Sequence, residues 1–213
     1  MVTGILTNFF RDNSKHRVEV SRDHEFLALA KGQSPRATVV MCSDSRVQTH
    51  MMDATPINDI FTVRSIGNTF ETALGSIKYG VLYVETPLLM FVGHSNCGAV
   101  KAKYDGLDCP EAEIMQELEY VELGGGQSFN DSIVHNVNEQ VAKAMRVEAF
   151  AELVHKEELM IAGALYDFSN CYGCGHGRLI MLNVNGVTDP MHIRKHPWMP
   201  PNVHDTQIGL QLT

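Results

Sequence analysis

Several protein classes are set aside by what this chain has little of. No stretch approaches the ~18 consecutive apolar residues of a membrane span. The amino-terminal MVTGILTNFF lacks the basic segment, sustained apolar core and small-residue cleavage site of a secretory signal. Cysteine is sparse: the 5 in 213 residues are an odd, unevenly spaced set, too few for a disulfide framework. A reducing compartment, the cytoplasm, is therefore expected. Basic residues are outnumbered, with 17 Lys and Arg against 25 Asp and Glu and a net charge of −8. That balance lacks the electrostatic footprint of a protein that grips nucleic acid or anionic lipid. There is no internal repeat or low-complexity tract. What remains is ordinary globular composition, 44% hydrophobic and 20% charged. At about 150 residues per domain, the length predicts one domain over residues 1–213.

Apolar runs at 37–41 (ATVVM), 60–64 (IFTVR) and 88–92 (LLMFV) read as strands buried on both faces of a parallel sheet. Parallel strands need helical crossovers. Residues 68–85 supply one, with Phe70, Ala73, Leu74, Ile77, Val81 and Val84 near helical period and Asn68 as cap. Residues 131–150 read as a second helix opened by Asp131, and 111–122 as a third. Residues 159–165 and 179–184 read as a fourth and a fifth strand. The prediction is an α/β fold: a central, mostly parallel sheet of about five strands flanked by helices. Pro197, Pro200 and Pro201 rule out regular structure in the tail, which is expected to wrap a surface or a partner subunit.

Ligands of such sheets bind beyond the carboxyl ends of the strands, where Cys42, Arg64 and His94 all fall. Two clusters stand there, CSDSR from Cys42 and HSNCG from His94. Cys42, His94 and Cys97 are three good zinc ligands, and three protein ligands leave a fourth tetrahedral position for water or substrate. Each alone reads more readily as a buried strand-end or loop residue. Together, at adjacent strand ends, they read as a site. Asp44 can take the open metal position or accept a hydrogen bond from metal-bound water. Arg46 favours the second role by holding the carboxylate in a bidentate pair.

The strings CSDSR and GHSNCGAVKA, with VRSIGN between them, resemble the β-class carbonic anhydrases, whose signature is C-x-D-x-R followed by H-x-x-C. The resemblance runs over about residues 24–182. It implies a parallel-centred sheet and one zinc ion per chain held by Cys42, His94 and Cys97. Asp44 and Arg46 become the catalytic dyad. It also implies a homodimer or a higher even-numbered homo-oligomer, with an amino-terminal arm and the carboxyl-terminal tail in its contacts. Similarity to the plant-type subgroup makes Gln33 the amide that binds substrate, and Phe61, Ile66 and Tyr79 the pocket wall. Singly, each reads as a loop or core residue. The implied activity is reversible hydration of carbon dioxide to bicarbonate and a proton. Zinc lowers the pKa of bound water to about 7, which makes hydroxide available at neutral pH. Asp44 orients that hydroxide, and the Gln33 amide and Gly98 N–H steady the oxygen that gains charge. His50 is the histidine nearest in sequence for a proton shuttle, though a solvated surface role is the expectation for it.

Residues 169–177 (SNCYGCGHG) depart from the family pattern. Cys171, Cys174 and His176 read as a second metal site, a redox pair or a plain Gly-rich loop, the metal site being disfavoured because a single C-x-x-C lacks its partner pair. Two other functions share the main motifs. One is hydrolysis of carbonyl sulfide or carbon disulfide by the same zinc centre. The other is a zinc-binding scaffold without turnover, which the presence of both Asp44 and Arg46 opposes.

Overall fold

The computed structural model describes residues 2–19, 27, 29–125 and 128–210. Two compact units divide the chain, Met1–Ser34 and Pro35–Thr213. The first contains helix α1 (Val2–Glu19), which exposes Val2, Ile5, Leu6, Phe9 and Phe10. No described helix is long and apolar enough to cross a membrane.

The second unit is built on five strands: β1 (Ala37–Cys42), β2 (Ile60–Ser65), β3 (Leu88–His94), β4 (Met160–Asp167) and β5 (Arg178–Val184). They lie in the order β2-β1-β3-β4-β5. The first four are mutually parallel and β5 runs antiparallel to β4. The expected sheet is therefore present. Its continuous apolar runs are buried on both faces. Val40, Ile77, Leu89, Phe91, Phe150 and Ile161 pack on one side, and Val39, Met41, Met90, Val92 and Ala162 on the other.

The first crossover is more broken than its periodicity predicts. Asn68 does not cap a helix; it ends a 3-10 turn, Ile66–Asn68, with a φ of 51°. A second such turn, Glu71–Ala73, leads into helix α2 (Leu74–Leu82). Helices α3 (Gly98–Tyr104) and α4 (Ala112–Glu119) follow β3. Helix α5 (Phe129–Met145) is capped by Ser128 rather than Asp131. The Ser128 hydroxyl accepts the Asp131 N–H at 3.2 Å and donates to its carboxylate at 2.8 Å, so the aspartate completes the cap from inside the helix. A break at Arg146 and Val147 separates α5 from helix α6 (Glu148–His155), where one helix to residue 150 is expected.

Helix α5 lies close on the sheet because β3 and β4 present Gly93 and Gly163 beneath it. A β-carbon on Gly93 would sit 2.4 Å from Val137, and one on Gly163 2.9 Å from the same side chain. The tail folds back on its own sheet. Asp189 caps helix α7 (Pro190–Arg194), Ile193 and Ile208 are buried, and Ile208 bridges Met181 of β5. Proline at the first helical position costs nothing, since that N–H has no partner within the helix.

Candidate metal centre

Strand β1 ends at Cys42 and β3 at His94, neighbours in the sheet. After β1 the chain leaves toward β2 on one side, and β3 returns on the other, so these ends flank the point where strand order reverses. Cys97 lies three residues beyond His94, where the turn leads into α3. The ligand atoms of Cys42, His94 and Cys97 all lie within 4.8 Å of one another, and all three residues are buried. Among the described residues this is the only such group of three.

The chemistry of the donors fits a soft or borderline dication. His94 Nδ1 lies 3.0 Å from the Ser95 carbonyl, which requires a hydrogen on that nitrogen. The Nε2 lone pair is then directed at the two sulfurs. Nε2 is buried and has no hydrogen-bond partner in the protein. Such an orphan is costly unless a ligand satisfies it, and a metal does so without a proton. Interaction with Cys97 holds the Cys42 thiol well below its usual range, against the opposing effect of burial, with further help from the Asp44 and Gly67 N–H groups. The same interaction, with burial and the nearby negative sulfur, pushes Cys97 up. Two buried sulfurs this close ionise together only with a cation between them. Zinc, with its preference for Cys and His in tetrahedral array, matches this set.

Gly67 holds a φ of 73° that suits glycine, and a β-carbon there would come within 2.7 Å of Val121. Its N–H supports the Cys42 sulfur and its carbonyl accepts from Asn136 Nδ2 at 2.9 Å. Asn136 belongs to α5, so the helix that covers the sheet also secures a ligand loop. Arg64, at the end of β2, donates to the carbonyls of Cys42 at 3.0 Å and Val47 at 2.9 Å. Strand-end position is all that singles out Arg64 in the sequence, because its role depends on the pairing of β1 with β2.

Asp44 and Arg46 form the expected bidentate pair, Nε to Oδ1 at 2.9 Å and Nη2 to Oδ2 at 2.7 Å. Arg46 Nη2 also reaches the Asn96 carbonyl at 3.1 Å, which ties the dyad to the turn between His94 and Cys97. These arginine hydrogen bonds hold the Asp44 carboxyl well below the usual carboxylate range, despite partial desolvation. Asp44 Oδ2 is 4.0 Å from His94 Nε2, beside the metal position and turned toward arginine.

Of the pocket residues, Ile66 packs with the cluster containing both thiols, and Gly98 opens α3 immediately after Cys97. Phe61 and Tyr79 come together elsewhere, their ring centroids 6.0 Å apart. Phe61 pairs with Thr38, four residues before the register of Cys42 with Ser65. At about 3.3 Å per residue, that puts it roughly 13 Å down the strand from the ligand. Tyr79 is 51% exposed. Within one chain the structure does not bring these two rings to the ligands. Gln33 is exposed in the first unit, and His50 is exposed in a 3-10 turn, Thr49–Met51.

Cys171, Cys174 and His176 do not converge as a metal site. The Cys171 sulfur meets the Ser169 hydroxyl at 2.8 Å, the Cys174 thiol donates to the Tyr172 carbonyl at 3.5 Å, and His176 Nδ1 lies 3.1 Å from the Phe168 carbonyl. The loop is organised instead by buried Asp167, whose carboxylate accepts the N–H groups of Cys171 and Tyr172 at 3.0 Å each.

Fold and site together define an α/β protein with a buried Cys-His-Cys group that could hold a metal ion at the reversal point of a mostly parallel sheet. Comparison with known proteins is specific. A match to the family described as carbonic anhydrase covers residues 37–173. The carbonic anhydrase of Mycolicibacterium smegmatis is 34% identical over 155 residues, 67% of this chain and 75% of the relative. Carbonic anhydrase 2 of Mycobacterium tuberculosis is 33% identical over 162 residues, 70% of this chain and 78% of the relative. The fold is similar to that of the tetrameric β-carbonic anhydrases of Sordaria macrospora, with a TM-score of 0.72 at 21% identity over 85% of this chain and 98% of that one. The chain belongs to the carbonic anhydrase family, in its β class.

Proposed function

We propose that this enzyme carries out zinc-dependent, reversible hydration of carbon dioxide to bicarbonate and a proton, with one zinc ion per chain. The observation that carries this reading is the buried, unpartnered His94 Nε2 facing the sulfurs of Cys42 and Cys97, with Asp44 Oδ2 4.0 Å away. Bound there, zinc would supply a Lewis acid that makes water a nucleophile at neutral pH. The protein residues do the rest. Asp44, kept anionic and turned by Arg46, accepts the hydrogen of the nucleophile and so aims its lone pair at the substrate carbon. Ile66 offers an apolar wall to a small, linear, uncharged substrate. The Gly98 N–H is the donor proposed for the oxygen that gains charge.

Phe61 and Tyr79 complete the wall only when brought by another protomer, because in their own chain they stand at the far end of the sheet. An even-numbered homo-oligomer accommodates this, and the similar enzymes of Sordaria macrospora are described as tetrameric. The decisive experiment is stopped-flow carbon dioxide hydration with zinc quantified per chain. One zinc per chain and activity lost on chelation are expected. Zinc-loaded protein that releases hydrogen sulfide from carbonyl sulfide but does not hydrate carbon dioxide would overturn the substrate assignment.

A further inference from the structure

Phe168 follows Asp167, the last residue of β4, and no motif marks it. Its ring nevertheless touches both halves of the centre. The Arg46 guanidinium carbon lies 4.7 Å from the ring centroid, over its face. The His94 imidazole stacks with it at 5.9 Å and 24° between planes, and Tyr166 supports it edge-on at 5.8 Å. The backbone around it is tied in place. Its carbonyl meets His176, and the next N–H, from Ser169, donates to the buried Ser95 hydroxyl at 3.3 Å.

We propose that Phe168 is a positioning residue: its ring fixes the Arg46 guanidinium, and through it the Asp44 carboxylate, while bracing the His94 imidazole. The proposal rests on the hydration reading above. The physical need is clear from exposure, since the Arg46 side chain is 50% exposed. Asp44 is largely buried, but a pair whose arginine is open to solvent is held less firmly, because the guanidinium is shared with water. An aromatic face adds cation–π attraction that favours one placement of the guanidinium plane. Without it, the guanidinium is held only by its hydrogen bonds to Asp44 and to the Asn96 carbonyl, and the carboxylate turns more readily from the arginine toward the metal position. A residue that positions another in this way should alter turnover more than substrate binding.

The test compares Phe168→Leu, which keeps apolar bulk, with Phe168→Tyr, which keeps the ring. In the metal-free protein the Arg46 Nε–H resonance should be shifted by the ring current. That shift should persist in Phe168→Tyr and vanish in Phe168→Leu. In zinc-loaded protein with metal content unchanged, Phe168→Leu should lower kcat about tenfold with KM within about twofold, and Phe168→Tyr should recover most of it. Unchanged kcat in Phe168→Leu, or zinc lost equally from both variants, would overturn the proposal. If the parent enzyme hydrates no carbon dioxide, the hydration reading fails separately. The Arg46 resonance in the metal-free protein still decides whether the ring holds the guanidinium.

Discussion

Asp44 and Cys42 are two residues apart in sequence, yet their substitutions should fail in different ways. Under the proposed mechanism, Asp44→Ala removes the acceptor that orients the nucleophile but leaves Cys42, His94 and Cys97 in place. Hydration should fall about a hundredfold or more with zinc content unchanged. Full activity in that variant would remove Asp44 from the mechanism. Cys42→Ser replaces a sulfur donor that zinc prefers, so its loss should appear first as zinc per chain, measured by elemental analysis. The grouping of Cys42, His94 and Cys97 and the pairing of Asp44 with Arg46 were legible in the sequence because each motif is local and its chemistry is specific. The contacts of Arg64 and Phe168 were not, because their partners lie outside their own strands and are known only once the sheet is assembled.

Among the elements, α5 carries much of the architecture, and two of its contacts can be tested. Gly93→Ala would press a methyl into Val137 and should destabilise by about 1–3 kcal/mol, measured by denaturant unfolding. Adding Val137→Ala should restore part of that loss, because the two changes share one contact. Lys143, near the end of α5, bridges Glu71 and Glu122 at 2.9 Å each. Burial works against its charge, but the hydrogen bonds to both carboxylates win and raise its pKa, while the Lys143 hydrogen bond lowers that of Glu122. The Lys143 contribution is full below the unfolded lysine value and fades as pH rises through the raised one. The Glu122 contribution is full above the unfolded carboxylate value and fades as pH falls through the lowered one. Lys143→Met should therefore cost most between about pH 5 and 10 and progressively less in acid, read as the difference in unfolding midpoint across pH. Sequence periodicity located α5 but not its first residue, since Asp131 and Ser128 are both good capping types. Their mutual hydrogen bonds decide the matter. The crossover at residues 66–82 was harder to read, because Gly67 and Asn68 adopt positive φ to serve the Cys42 loop rather than to start a helix.

At the scale of the whole molecule, the strands of a mostly parallel sheet followed from buried apolar runs, but their order did not, and a pocket assembled from two chains would not be legible in one. Phe61 and Tyr79 were grouped with the zinc ligands by resemblance, and the fold separates them by the length of a strand. If they serve the site of a second protomer, two defective chains should repair each other. Cys42→Ser chains lack the metal centre but keep the wall, whereas Phe61→Ala/Tyr79→Ala chains keep the centre but lack the wall. In a mixed oligomer, a metal centre from the second chain meets an intact wall from the first. Mixing and reassembling the two preparations should therefore raise hydration per bound zinc above that of either alone, while diluting the mixture through subunit dissociation should abolish the gain. A wall contributed within the same chain predicts no gain at any mixing ratio, since every metal-bearing chain would still carry the alanines.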